Sequence, residues 1–182
     1  TTSGAASLTL NGAGVTDSVA SWGTNAGATI SVYAASSNTG VTFTFTGTDL
    51  FGSSQTATLA GPGAGATVNT TEYFVTITAV SVDAAITGNA EVGWTRPATD
   101  VGGVFEGRTR IRGIQGLSGT TAGDVSFNNT SITGTTLLTV PTSTATDLIE
   151  PYIPDNGVLF DAGAYISYAN SVLAGITVFY DG

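Results

Sequence analysis

The segment "VTFTFTG", residues 41–47, sets Val41, Phe43 and Phe45 against Thr42, Thr44 and Thr46. Apolar residues at every second position make a strand with one buried and one hydroxyl-bearing face. The same period recurs along the chain. "ATISVYA" places Ile30 and Val32 on one face. "EYFVTITAVSV", read as one strand over 72–82, has Val75, Ile77 and Ala79 on one face and Phe74, Val80 and Val82 on the other. That double apolarity points to a central strand or to a bulge near Ala79. Further strands are expected at 6–10, 54–60, 89–94, 104–113, 124–128, 135–140, 157–160, 163–169 and 173–180. Turns rich in Gly, Asn and Asp separate them: "LNGAG", "GTNAG", "SNTG", "TGNA", "PDNG" and "DAG". Short strands divided at roughly 8–12 residues by such turns predict an all-β sandwich or barrel. "GPGAGA", 61–66, reads as the most flexible stretch, a long surface loop.

A boundary is expected in "WTRPATDVGG", 94–103, where Pro97 cannot pair within a central strand and the Gly pair 102–103 releases the chain. This predicts two small β-sandwich modules in tandem, Ig-like or jelly-roll-like, over 1–97 and 98–182. The two halves share no internal repeat.

Charged residues make up 9% of the chain, against roughly 25% in ordinary domains, so Ser, Thr, Asn and Gly must cover most of the surface. A net charge of −9 argues against nucleic acid and against an anionic membrane as partners. No apolar run is long enough for a transmembrane helix, and "TTSGAASLTL" has neither the basic nor the hydrophobic region of a signal peptide.

Most catalytic chemistry is excluded by composition. Without His, Cys or Lys, the chain cannot build a Ser-His-Asp triad, a thiolate nucleophile, a Schiff base or a P-loop. Glu150, Asp155 and Asp161 are the densest acidic group, and a glycosidase pair or a calcium site are the readings that would use them. Turn chemistry accounts for the same residues, since Asp155-Asn156-Gly157 and Asp161-Ala162-Gly163 are turn sequences. No enzyme activity, metal or cofactor is therefore expected. Asn69, Asn128 and Asn129 open N-x-Ser/Thr triplets, which read as structural in a chain so rich in Thr.

The positive charge is the exception to this blandness. All four basic residues are arginines, Arg96, Arg108, Arg110 and Arg112, confined to seventeen consecutive positions. On a strand Arg108, Arg110 and Arg112 share one face, opposite Thr109 and Ile111. A solvated face would explain them, but Lys would serve there as well. Arg alone has the planar fork that pairs with carboxylates, so an interface is expected, with acidic groups on the other module, on a neighbouring copy or on an acidic scaffold. Aromatic residues carry a similar choice between core, interface anchor and sugar platform. Trp94 is expected in the core, while Trp22 is undecided and Tyr152 and Tyr168 join the arginines as candidate contact residues.

Two segments resemble structural proteins of tailed bacteriophages. In 47–94 the marks are the G-T-D-x-x-G start at Gly47, the G-P turn at Gly61, the "YF" at 73–74 before a Val/Ile-rich strand, and the closing V-G-W. In 152–182 they are P-x-x-G-V-L-F, a short Gly turn and the final "ITVFY" strand. The resemblance implies an all-β virion protein on the capsid surface, of the cement or decoration type, with the major capsid protein and its own copies as partners, the latter as a homotrimer. It carries over no catalytic residue. The alternative is a carbohydrate-binding head-fibre or tail adhesin module that contacts the host surface.

Overall fold

The computed structural model describes residues 4–10, 15–16, 19–21, 27–95 and 98–182. Every regular element among them is a strand, and every pairing is antiparallel. The chain divides into two compact units, Thr1–Pro97 and Ala98–Gly182.

The first unit contains β1 (Ala6–Leu8), β2 (Val15–Thr16), β3 (Val19–Ser21), β4 (Ala28–Ala34), β5 (Thr42–Thr48), β6 (Ser54–Ala60), β7 (Ala66–Phe74), β8 (Thr76–Val82) and β9 (Ala90–Thr95). One sheet runs β2-β3-β8-β5-β6, with β1 also on β8, and the other runs β7-β4-β9. Ile30 and Val32 of β4 and Phe74 of β7 share one core with Phe43 and Phe45 of β5, Ala57 of β6 and Ile77, Val80 and Val82 of β8, so the sheets pack face to face. The alternation in β5 is as its sequence predicts: Phe43 and Phe45 are fully buried and stacked with ring centroids 6.5 Å apart, while Thr42, Thr44 and Thr46 are half-buried on the other face.

The second unit contains β10 (Thr99–Phe105), β11 (Thr109–Ser118), β12 (Gly123–Asn129), β13 (Thr136–Thr142), β14 (Leu148–Ile149), β15 (Val158–Phe160), β16 (Ala164–Ala169) and β17 (Leu173–Asp181). One sheet runs β10-β16-β12-β13. In the other, β11 is central. β15 pairs with residues 109–111 and β14 with 116–117 along one edge, and β17 pairs with 110–118 along the opposite edge. Val125, Phe127, Val140 and Ile166 of the first sheet meet Ile111, Ile114, Ile149 and Phe160 of the second in one core. Asn128 is buried here and donates to the Ile132 carbonyl and Ser167 Oγ while accepting from Thr136, so it serves the packing.

Four expectations need correction. Residues 72–82 form two strands rather than one. The chain breaks at Val75, whose N–H donates to the Thr48 carbonyl, and β7 begins upstream at Ala66. The anticipated bulge exists beside Ala79: Thr46 pairs with Ala79 and Gly47 with Ile77, leaving Thr78 unpaired. This extra residue lets Ile77, Val80 and Val82 all face the core despite their uneven spacing. Residues 104–113 are likewise split, by a bend at Glu106–Arg108 between β10 and β11.

The segment 61–66 is pinned rather than loose. Gly61 N–H donates to the Val41 carbonyl, Asn38 N–H to the Pro62 carbonyl, and both Gly61 and Pro62 are buried. Trp94 is not core. It pairs with buried Ile30 and so points to the same side, but β9 is an edge strand, and the indole overhangs the rim 44% exposed. Trp22 lies outside the described residues.

Candidate interaction face

The two faces of β11 differ sharply. Thr109, Ile111 and Ile114 are buried, whereas Arg112, Gln115 and Leu117 are exposed and Arg110 is half-buried. Ile111 pairs with Tyr180 and Gly113 with Phe179, so Arg112 is the extra residue of a bulge. The bulge turns Arg112 outward without disturbing the inward positions of Ile111 and Ile114.

Arg112 Nε donates to Asp181 Oδ2 at 2.5 Å, and its Nη1 donates to the Asp155 carbonyl. Arg110 Nη1 donates to the Asn156 carbonyl at 2.9 Å. These carbonyls are available because residues 155–156 form a tight turn, closed by Gly157 N–H donating to the Pro154 carbonyl. Gly157 has a φ of 65°, where a side chain would be strained, and a Cβ would also stand 2.6 Å from the Ile111 carbonyl oxygen. Arg108 precedes the strand and approaches Asp161 at 3.6 Å, with both side chains about seven-tenths exposed.

Thus Arg108 and Arg112 face carboxylates as expected, but carboxylates of their own unit. The "PDNG" and "DAG" turns and the end of β17 bring Asp161 and Asp181 to the arginine face. Period alone shows that the arginines share a face. It does not show which turns lie beside them, because that depends on the pairing of β15 and β17 with β11. Arg96 lies outside the described residues.

Tyr152 is 88% exposed, on a segment anchored by buried Ile149 and Ile153. Phe179 pairs with Gly113 and is 53% exposed, its ring 3.3 Å from where a Gly113 Cβ would stand. Leu117 and Leu148 are direct partners, hence on one side of the sheet, and both are exposed. A groove of about 570 Å³ runs between Arg112, Gln115, Glu150, Tyr152 and Phe179. The outer surface of this sheet therefore joins apolar and aromatic side chains to an arginine-bearing end.

Tyr168 lies elsewhere. It pairs with buried Val125 in the opposite sheet, is half-buried and packs against the core of the second unit. The sequence reading missed Phe179, Leu117 and Leu148. For Phe179 a signal existed, since in "ITVFYDG" it alternates with Ile176 and Val178, which pack on the core.

No group of three or more Asp, Glu, His or Cys side chains among the described residues is arranged to hold a metal ion. No family model matches the chain, and no curated protein or solved structure matches it either.

Proposed function

We propose that this chain is a structural virion protein of a tailed bacteriophage, a cement protein that decorates and stabilises the capsid exterior. It acts by binding and not by catalysis. Its partners are the major capsid protein and further copies of itself. The observation that carries the reading is the outer surface of the β14-β11-β17 sheet. There Tyr152 and Phe179 are exposed beside Arg112, whose side chain is held in place at two nitrogens, and Leu148 is exposed farther along the same sheet. Aromatic and arginine side chains are the residue types that dominate protein–protein contact energy. A preset arginine loses little freedom on docking. The phage-like segments 47–94 and 152–182 and the low-charge hydroxyl surface support the same reading.

The test is binding to capsids assembled from the major capsid protein of the virion that the proposal assigns to this chain. Saturable binding that raises the capsid's melting temperature is expected. Combining Tyr152→Ala with Arg112→Ala should weaken that binding at least about tenfold, a loss of roughly 1.4 kcal/mol. Absence of binding by the wild-type chain would refute the proposal.

One observation favours a second reading, a carbohydrate-binding head-fibre or tail adhesin module. Tyr152 stands almost fully exposed beside Gln115 and Glu150, a ring platform with hydrogen-bonding groups at its edge. Retention on host glycans that Tyr152→Ala abolishes, with no capsid binding, would select it.

A further inference from the structure

We infer that β17 is a pairing edge for a second copy of this chain. β17 hydrogen-bonds to β11 along one edge, and among the described residues no strand pairs with the other. Its nine residues contain no proline and no lysine; a bulge at Ala174 and the single charge, Asp181, lie at its two ends and leave Gly175–Tyr180 unguarded between them. An open edge of this kind exposes a row of backbone donors and acceptors, which natural sheets normally guard with charge, proline or a bulge.

The other long edges here are guarded. β13 carries Pro141, β7 carries Glu72 and β9 carries Glu91, while β10 has Asp100 and a bulge between Gly103 and Phe105. β6 is neutral, but Gln55 ties it to β7 by donating to the Tyr73 carbonyl.

The occupant follows from the register. Directly paired residues must point to the same side of the sheet, so a strand pairing antiparallel with its own copy is centred on a residue. The stretch Gly175–Phe179, which lies clear of the bulge at Ala174, is self-complementary about Thr177. This alignment sets Ile176 opposite Val178 and Gly175 opposite Phe179. In the last pair a large side chain meets an absent one. A Cβ at Gly175 would touch nothing within 4 Å, so the space above it is open, and the half-exposed Phe179 ring of the other copy fills it by turning away from Gly113 of its own sheet. An aromatic ring over a glycine on a neighbouring strand compensates for the missing side chain. Thr177 meets its counterpart on the twofold axis, a favourable cross-strand pair. The two Asp181 carboxylates lie at opposite ends of the joined strands, each beside its own Arg112. The result is one continuous sheet made from both copies. It stands independently of the virion reading, and its twofold symmetry replaces the trimer that the phage resemblance implies.

Sedimentation of the full chain from micromolar to millimolar concentration tests this, with the wild type expected to form a dimer. Gly175→Lys should raise the dimer dissociation constant by about a hundredfold or more, because the new side chain occupies the Phe179 position of the other copy and brings a charge into the seam. Its circular dichroism and melting of the single copy should be unchanged, since the site is open and its backbone lies outside the left-handed region. The chain has no cysteine, so Thr177→Cys can form a disulfide only between copies. Oxidation should link it efficiently, whereas the exposed control Thr120→Cys should stay largely unlinked. A wild type that stays monomeric, a trimer, or a dimer that Gly175→Lys leaves intact would overturn the inference. If Gly175→Lys fails to fold, the cross-linking comparison decides: equal linking of Thr177→Cys and Thr120→Cys also overturns it.

Discussion

Arg112 and Arg108 carry the same charge and both approach a carboxylate, yet their surroundings give them different weights. Arg112 binds Asp181 and the Asp155 carbonyl through two nitrogens, whereas Arg108 stands 3.6 Å from Asp161 with both partners well exposed. Exposed ion pairs are worth about 0–1 kcal/mol and fade with salt. Arg112→Ala should therefore lower stability by about 0.5–1 kcal/mol at low salt, and Arg112→Lys by nearly as much, because an ammonium cannot reproduce the two-nitrogen geometry. Arg108→Ala should stay within about 0.5 kcal/mol of wild type. Denaturant midpoints at low and high salt check all three variants.

The titration of Asp83 should show in stability. The Thr42 N–H donates to its Oδ1 at 2.7 Å, and this bond, joined by one to the Thr42 side chain, holds the carboxyl below the usual aspartate range. A depressed folded-state pKa stabilises the fold above the unfolded pKa of about 3.9, and the benefit is lost as pH falls through the lower folded value. Asp83→Asn should remove that benefit, so stability at neutral pH falls modestly, the acid limb flattens and the two proteins converge at low pH, as acid titration of the unfolding midpoint would show.

At the scale of elements, the seam between β5 and β8 tolerates little change. The backbones approach so closely at Gly47 that a Cβ there would stand 1.9 Å from the Thr76 carbonyl oxygen. Gly47→Ala must push one backbone away from the other, at a cost of about 3 kcal/mol or more. A midpoint shift of less than about 1 kcal/mol would show that the seam yields instead. Periodicity made most of this unit legible, from the buried Phe43 and Phe45 to the bulge beside Ala79. It failed where a strand ends without a turn residue. Nothing in "EYFVTIT" marks Val75 as a break, because the break is made by a hydrogen bond to Thr48 on another strand. Trp94 was misread for a related reason: hydrophobicity gives the side of the sheet, and only sheet order shows that β9 is an edge. The candidate face was half legible. Arg110, Arg112 and Tyr152 stand out by residue type, whereas Leu117 beside Leu148 and Phe179 over Gly113 exist only through long-range register.

For the molecule as a whole, the decisive feature is that it has two cores. The cluster around Phe43, Phe45 and Phe74 draws every residue from Thr1–Pro97, and the cluster around Ile111, Phe127 and Phe160 draws every residue from Ala98–Gly182. Each has large aromatic side chains buried between two sheets, and each such residue contributes roughly 1.5–3 kcal/mol on burial. No disulfide supports either unit, since the chain lacks cysteine. Domains near this size bury a smaller share of their surface than large ones, so their stability is modest, about 4–13 kcal/mol at 0.05–0.15 kcal/mol per residue. The second unit holds the whole candidate face and the β17 edge. A chain limited to residues 98–182 should therefore fold alone, with a β-type circular dichroism spectrum and a single cooperative melt. It should also keep the wild-type dependence of stability on Arg112, because Asp155 and Asp181 belong to the same unit. A random-coil spectrum at neutral pH, or a melt without a cooperative transition, would show that the core around Ile111 and Phe127 needs the first unit to form.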